Sequence, residues 1–368
     1  MIRVLHIARY PAPVAEGKLV WLGAQPDLEL WLIRPAVWQD EYGRVALRPQ
    51  VPGCRVRTVP MVGRPNDPHR ALYRTLSFWL PTTRPHLIHA EEEPDSLATL
   101  QITLARKLFA PRAKLVLHTW QNLNRPKKPH VWAVIRLALG QAQAVLCATD
   151  GALRVLREMG YRGLAAVIPQ VGVDTRLFRP AERPPTFGPF VVAYVGRLVP
   201  EKGLDTLLEA VSQLGPGVRL RVVGDGPARS GLQGLATSLG LGDRVEWLPP
   251  VPADRIPEVL ARVDVLVLPS RTTRVWKEQL GRVLLEAMAC KVPVVGSDSG
   301  AIPEVVGDAG LIFPEGDAAA LAGCLQRLWD SPELRRDLGE RGYARVLAHY
   351  SQERIAARTA EFYRALAG

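Results

Sequence analysis

Short runs of apolar and β-branched residues alternate with helix-like patterns along the first half of the chain. The helix-like patterns include residues 96–109 and 151–159, where apolar positions recur every three or four residues. The apolar runs predict strands at residues 2–8, 28–35, 86–90, 113–120, 144–149 and 165–170. Continuous apolar strands that alternate with helices are typical of a parallel sheet covered by helices on both faces.

A proline-rich segment, residues 179–189, interrupts this alternation and is the best candidate for a linker. The alternation then resumes, with strands predicted at residues 190–197, 218–226, 245–249, 264–270, 292–298 and 310–314. Helices are predicted at residues 203–214, 228–239, 256–262, 281–289 and 318–328. The chain is therefore predicted to be α/β, with doubly wound domains at residues 1–178 and 190–350. Ligands of such sheets bind at the carboxyl ends of the strands.

Composition adds a charge asymmetry to this picture. The 368 residues carry a formal charge of +11, and residues 1–175 alone contain 23 Lys+Arg against 13 Asp+Glu. A basic half favours an anionic partner, such as a phosphorylated substrate, a lipid surface or nucleic acid, although a generally arginine-rich composition would give the same excess. No apolar run approaches the roughly 20 residues of a membrane span, and no secretion signal is recognised, so we expect a cytoplasmic protein.

The first strand of the second half is followed by two cations. Arg197 and Lys202 flank a turn, and Gly203 then begins a helix. Two cations beside a helix start suit a pyrophosphate, because backbone N–H groups and the helix dipole add to their charge. Solvated surface cations are the alternative. The next strand ends in Gly224, Asp225 and Gly226, but the third glycine of a dinucleotide fingerprint is missing, so an ordinary turn is equally consistent.

Two glutamates lie eight residues apart in an otherwise apolar segment. Glu278 comes just before the predicted helix 281–289, where a carboxylate suits the helix start, and Glu286 lies two turns further on. A buried carboxylate needs a cation or hydroxyl donors, because an unpaired one is costly. Sugar and ribose hydroxyls would serve, and a structural ion pair within the domain is the alternative.

Taken together and in order, these motifs resemble the retaining nucleotide-sugar glycosyltransferases of family four. The motifs are GRLVPEKGLD, VVGDGP, VDVLVLPS, the two glutamates in EQLGRVLLEAMACKVPVVGSDSGAIPEVV, and GLIFPEGD. The resemblance implies the GT-B fold of two facing Rossmann-like domains, with residues 351–368 forming a helix that packs back on the N-terminal domain. It covers about residues 165–365.

The resemblance also implies roles for the residues of these motifs. Arg197 and Lys202 would hold the donor diphosphate, Glu278 would contact the donor sugar, and Glu286 would accept hydrogen bonds from ribose hydroxyls. The other implied donor-binding positions are Gly224, Asp225, Gly226, Val251, Gln279, Leu280, Gly281 and Arg282. Gln279 and Leu280 depart from the usual family pattern and are expected to alter sugar preference. At the first helix, Gly17 is the counterpart of paired family glycines, with Lys18 beside it.

The first half offers less specific candidates. His118 resembles a histidine that contacts the donor sugar in this family, and a histidine with only structural contacts is the alternative. The acceptor-binding candidates are Glu91, Glu92, Glu93 and Asn122, and a solvated acidic loop is the alternative for the three glutamates. Basic and aromatic residues could form a membrane-contact surface, although such aromatic side chains are more often buried. These residues are Trp79, Arg125, Lys127, Lys128 and Trp132.

The sequence therefore predicts a hexosyltransferase that uses a UDP- or GDP-linked sugar as substrate, with a saccharide or lipid-linked acceptor in cell-surface polysaccharide or glycolipid assembly. Catalysis would rest on positioning and on the two cations, with no metal and no other cofactor. It would lie in the cytoplasm, with peripheral contact to the inner membrane, and would bind no nucleic acid. The rivals are a sugar-nucleotide epimerase or hydrolase of the same fold, and a basic nucleic-acid-binding protein.

Overall fold

The computed structural model describes residues 1–9, 13–40, 43–47, 50–63, 67–181 and 188–368. These residues form two compact units. The first contains residues 1–172 and 352–368, and the second contains residues 173–351. Part of the predicted linker, residues 182–187, lies outside the described residues.

The first unit alternates strands and helices as its apolar pattern predicts. Its elements up to residue 167 are β1 (Ile2–Ala8), α1 (Pro13–Gly23), β2 (Leu28–Pro35), β3 (Val37–Asp40), β4 (Gly43–Ala46), β5 (Cys54–Val59), β6 (Met61–Gly63), β7 (Ala71–Tyr73), α2 (Leu76–Thr83), β8 (Leu87–Glu91), α3 (Leu97–Phe109), β9 (Lys114–Thr119), α4 (Pro129–Gln141), β10 (Ala144–Cys147), α5 (Asp150–Glu158) and β11 (Leu164–Val167). Helix α3 begins after Ser96, whose hydroxyl accepts a hydrogen bond from the N–H of Thr99.

Seven of these strands form one parallel sheet in the order β11-β10-β9-β8-β1-β2-β5. Its central strands are almost wholly buried because helices cover both faces. The edge strand β5 is absent from the sequence prediction, since its alternating basic residues, CRVRTV, mask the apolar run that identified the others. Two short antiparallel pairs, β3–β4 and β6–β7, were also not predicted.

The second unit repeats the same principle. Its elements are β12 (Phe190–Val195), α6 (Leu204–Ser212), β13 (Val218–Val223), α7 (Arg229–Ser238), β14 (Val245–Leu248), α8 (Ile256–Leu260), β15 (Val265–Leu268), α9 (Arg282–Ala289), β16 (Val294–Ser297), α10 (Ile302–Val306), β17 (Leu311–Phe313), α11 (Ala318–Asp330) and α12 (Pro332–Arg345). The six strands are all parallel, in the order β14-β13-β12-β15-β16-β17. The order reverses between β12 and β15, so the carboxyl ends of these two strands form the switch point of the sheet.

The last helix, α13 (Gln352–Ala367), belongs to the first unit. Its buried residues Ala356, Ala360 and Tyr363 share a core with Leu19 and Leu22 of α1. The fold class predicted from the sequence, two doubly wound Rossmann-like domains, is confirmed.

The boundary near residue 178 was predicted too late. Residues 173–178 belong to the second unit, because Val173 and Phe178 are buried in its core. The backbone N–H of Val173 also donates to the carbonyl of Tyr350, which ties the start of this unit to its end.

No helix among the described residues is long and apolar enough to cross a membrane.

Candidate active site

Lys202 and Glu278, predicted separately from two motifs, lie together at the switch point of the second sheet. A turn at Pro200–Lys202 carries the lysine, and Gly203 follows with φ 66°. A Cβ on Gly203 would stand 2.0 Å from the carbonyl oxygen of Pro269, so only glycine allows the turn to approach the end of β15 this closely. The lysine ammonium lies 2.6 Å from Oε2 of Glu278.

Glu278 is buried, at 7% exposure, and its carboxylate joins three parts of the chain. Oε2 also accepts a 2.8 Å hydrogen bond from the hydroxyl of Ser270, which follows β15. Oε1 accepts the N–H of Gly281 at 3.3 Å, just before α9 begins. The carboxylate therefore caps the start of α9 while it holds the lysine, as a negative group at a helix start should.

Trp276 completes this group of residues and was not predicted from the sequence. The ring centroid lies 4.8 Å from Nζ of Lys202, within cation–π range. The hydroxyl of Thr273 accepts the N–H of Trp276 at 2.9 Å, and the N–H of Thr273 donates to the carbonyl of Trp276 at 2.7 Å. This closed turn fixes the indole. The sequence signal that could have identified it was a tryptophan in a largely polar loop between two site motifs.

Glu286 lies on α9, buried, and it has a cation within the same unit. Nε of Arg282, one turn earlier, donates to Oε1 of Glu286 at 2.9 Å. Burial raises the pKa of Glu286, and the Arg282 guanidinium opposes that shift. The structural ion pair considered from the sequence is therefore present. The Arg282 side chain is 47% exposed, so the pair reaches the surface of the unit.

The remaining predicted residues of this unit are more dispersed. Arg197 is exposed after β12, and its carbonyl accepts the hydroxyl of Tyr194 at 2.6 Å. Gln279 is exposed, whereas Val251 is half-buried against the core. Leu280 is buried in that core at 5% exposure.

The GDG turn after β13 has a structural explanation. A Cβ on Gly224 would stand 1.9 Å from the carbonyl oxygen of Gly196, and one on Gly226 would stand 2.4 Å from that of Leu198. The N–H of Leu198 donates to the carbonyl of Asp225 at 2.9 Å. These glycines let the chain leaving β12 pack directly against the turn. Asp225 itself is exposed, and its carboxylate accepts the N–H of Gly226.

In the first unit, Glu91 is the centre of a buried polar cluster. Lys18 of α1 donates to its carboxylate, and so does the side-chain amide of Gln170. Nε2 of His6 lies 3.1 Å from Oε1 of Glu91. Burial alone would raise the pKa of Glu91, but Lys18 and His6 hold it well below its ordinary value. Lys18 in an apolar helix was the sequence signal for this pair.

Glu92 and Glu93 are also held within the unit, so the solvated acidic loop considered for the three glutamates is wrong. Glu92 forms a bidentate ion pair with Arg9, at 2.5 and 2.6 Å, and accepts the hydroxyl of Tyr73. Glu93 accepts the hydroxyl of Thr119 at 2.7 Å and the N–H of Trp120 at 2.8 Å. Burial raises the pKa of Glu93 to about 7. Cations of the same unit thus already hold Glu91 and Glu92, the first two acceptor candidates.

His118 lies in β9 at 1% exposure, with its ring stacked 5.5 Å from that of His89. Burial lowers the pKa of His118 to about 3, so the imidazole is neutral at physiological pH. Nδ1 of His118 lies 3.9 Å from Oε1 of Glu91, so the ring borders the polar cluster around that carboxylate. Asn122, on the loop after β9, is likewise buried.

Three side chains of the first unit are close enough to hold a metal. The donor atoms of His6, His89 and Glu91 lie within 4.8 Å of one another, and Nδ1 of His89 is 2.6 Å from the hydroxyl of Tyr363. The ammonium of Lys18 contacts the same carboxylate, and a second cation there would be repelled. The donor set as arranged therefore suits Lys18 better than a metal ion.

Gly17 does not lie in an open phosphate-binding loop. It lies inside α1, and a Cβ there would stand 1.9 Å from Oε1 of Gln352. The absence of a side chain lets α1 pack closely against the start of α13. This contact explains the glycine without a ligand.

Comparison with known proteins covers both units. Residues 27–171 match the family model described as "Glycosyl transferase 4-like domain", and residues 179–345 match "Glycosyl transferases group 1". The lipopolysaccharide core biosynthesis glycosyltransferase LpsE of Rhizobium meliloti is 31% identical over 299 residues, 77% of this chain and 80% of that protein. The 2-deoxystreptamine N-acetyl-D-glucosaminyltransferase of Streptomyces fradiae is 30% identical over 317 residues, 78% of this chain and 72% of that protein.

Solved structures agree at the level of the fold. HepE of Anabaena, solved in complex with UDP, matches with a TM-score of 0.74 at 21% identity over 99% of this chain and 100% of its own. The sequence motifs, both family models and the two relatives point the same way, and they favour a glycosyltransferase over a nucleic-acid-binding protein. The chain belongs to the family-four glycosyltransferases of the GT-B fold.

Proposed function

We propose that this glycosyltransferase moves a hexose from a nucleotide-diphosphate sugar to a saccharide or lipid-linked saccharide, with retention at the anomeric carbon. Family membership supports the proposed retention. The observation that carries the donor assignment is the group formed by Lys202, Glu278 and Trp276 at the switch point of the second sheet. HepE binds UDP, and LpsE acts in lipopolysaccharide core synthesis, which favours a UDP-sugar and an envelope glycoconjugate.

The proposed division of labour follows the charges of the second unit. Lys202 and Arg197 would neutralise the diphosphate as it departs, and they do this without a metal ion or other cofactor. Each ammonium proton of Lys202 is a donor, and one is taken by Glu278. The lysine side chain is 20% exposed, so further protons are available to a phosphate oxygen. A cation already held in position lowers the barrier, because little reorganisation is needed as charge develops.

Two carboxylates would recognise hydroxyl groups of the donor. Glu278 would accept hydrogen bonds from the sugar hydroxyls. Glu286 would accept hydrogen bonds from the ribose hydroxyls while it keeps its ion pair with Arg282. For His118, the contact with a donor-sugar hydroxyl that the family resemblance implies would be made by a neutral imidazole. For the acceptor we retain Glu93 and Asn122, since Glu91 and Glu92 are held by internal cations.

The first experiment is a thermal-shift screen of UDP-, GDP- and ADP-sugars, because a ligand that binds the native state raises its melting temperature. The stabilising donor is then incubated with and without candidate saccharide acceptors. Acceptor-dependent release of the nucleotide, unchanged by EDTA, supports the proposal. Equal donor turnover without acceptor would instead indicate an epimerase or hydrolase, and loss of turnover in EDTA would refute the metal-free mechanism.

A further inference from the structure

Helices α2, α3 and α4 of the first unit lie side by side, and none of them contains an acidic residue. Their buried sides contribute to the same core, so they cover the same face of the sheet. Residues 68–90 and 96–149, which contain all three helices, include no aspartate or glutamate. The exposed cations on and beside these helices that form no ion pair among the described residues are Arg74, Arg84, Lys107, Arg112, Arg125, Lys128 and Arg136.

The outer side of α3 is apolar as well. Leu97, Leu104 and Leu108 are exposed by 38%, 45% and 72%, although each is a large hydrophobic side chain. Their spacings of seven and four residues place them on one side of the helix. The opposite side, with Ala98 and Ile102, is buried in the core. Helix α3 therefore presents a leucine stripe to the surface while its core contacts are already satisfied.

The neighbouring helices extend this apolar surface. Helix α3 packs between α2 and α4. Phe78 on α2 is 63% exposed, Phe109 at the end of α3 is 47% exposed, and Leu137 on α4 is 40% exposed. Trp79 and Trp132, the aromatic residues considered for such a surface from the sequence, are instead half-buried against the core. The exposed apolar side chains of this layer are instead Phe78, Phe109 and Leu137, together with the leucine stripe of α3.

We propose that this basic–apolar face, formed by α2, α3 and α4, docks the enzyme on an anionic lipid surface. Exposed phenylalanine and leucine side chains can enter the apolar boundary of a bilayer while lysine and arginine contact its phosphates. Charge complementarity selects this occupant. A second copy of the same face would oppose cations to cations, and a nucleic acid would neutralise the charge but leave Phe78 and Leu108 in water. The proposal concerns an interaction surface and does not depend on the assignment of the donor.

The test measures sedimentation of the full chain with vesicles of pure phosphatidylcholine and with vesicles that also contain phosphatidylglycerol. We expect binding to the anionic vesicles that weakens as salt is raised, and little binding to the neutral ones. The double variant Phe78→Ser with Leu108→Ser should lower the partition coefficient by about tenfold or more, because both apolar contacts are removed. The double variant Lys107→Ser with Arg112→Ser should reduce binding and its salt dependence.

A matched control is Leu347→Ser, which removes an exposed leucine, 42% exposed, from the second unit. This variant should bind vesicles like the wild type, and circular dichroism should show that all variants stay folded. The proposal is overturned if neither vesicle binds, or if the Phe78–Leu108 variant binds as tightly as the wild type. It is also overturned if that variant instead converts a dimer to a monomer in sedimentation velocity, since the face would then join two copies.

Discussion

The ammonium of Lys202 lies 2.6 Å from Oε2 of Glu278, although 75 residues separate them in the chain. The contact depends on the glycine that follows the lysine, which brings the turn against the end of β15. It joins a motif that resembles a diphosphate site to one that resembles a sugar site. Replacing Lys202, whose side chain is 20% exposed, should therefore affect catalysis more than folding.

Lys202→Met tests the cation directly. The aliphatic stem is retained, so packing against Trp276 is largely preserved, but the positive charge is lost. We expect turnover to fall by tenfold or more, on the scale of a lost electrostatic contact in a transition state. Initial rates at saturating donor measure the effect. Lys291→Met is the control and should retain wild-type turnover, because Lys291 follows the end of α9, opposite to Glu278 at its start, and is paired with Glu340.

Trp276 is expected to position Lys202. The indole does not react, so its effect should pass through the lysine. Trp276→Leu should lower kcat about 5- to 30-fold with little change in donor KM, given the usual strength of a partly buried cation–π contact. Trp276→Phe keeps an aromatic face and should recover most of the rate. Equal losses in both variants, or a loss confined to KM, would show that the ring serves only to shape the loop.

Glu286→Ala should weaken donor binding. The substitution removes the acceptor proposed for ribose hydroxyls, and it also frees Arg282. Loss of hydrogen bonds to a charged group corresponds to about 1.5–3 kcal/mol, or roughly 10- to 150-fold in the dissociation constant. Isothermal titration with the best donor from the thermal-shift screen measures this. Arg282→Ala separates the two roles, because it breaks the ion pair but keeps the Glu286 carboxylate. Donor binding should be weaker in Glu286→Ala than in Arg282→Ala. Equal dissociation constants for the two variants would show that Glu286 serves only the ion pair.

Much of the second unit was predictable because its site residues follow apolar strands. Runs such as VDVLVLPS identify β15 and the edge at which Ser270 lies. The pairing of Lys202 with Glu278 could not be read from the sequence, since it depends on two loops meeting beside Pro269. In the first unit, HAEEEPDS reads as an exposed acidic loop. Its cations, Lys18 and Arg9, come from distant elements, so burial of Glu91 and Glu92 appears only in the folded chain.

The ion pair between Lys18 and Glu91 should be essential for the stability of the first unit. Both side chains are buried, so Lys18→Met leaves an uncompensated carboxylate and should reduce the free energy of unfolding by about 3–5 kcal/mol. Adding Glu91→Gln removes that charge and should recover a large part of the loss. Urea denaturation of the two variants measures the coupling. If Lys18→Met unfolds at the wild-type urea concentration, the pair is not formed as described.

Glu93 gives a pH dependence with a defined sign. Burial raises its pKa from an ordinary value of 4.5 to about 7, so the folded state holds a proton that the unfolded state releases between these values. The folded chain binds more protons there, and stability must fall as pH rises from about 5 to 8. The full shift corresponds to about 3 kcal/mol. Glu93→Gln cannot titrate, so the wild type should lose about 2–3 kcal/mol more than this variant over that interval in urea denaturation. Parallel profiles of unfolding free energy against pH for the two proteins would refute the raised pKa of Glu93. A greater loss in the wild type would show that Glu93 is protonated in a large fraction of molecules at neutral pH.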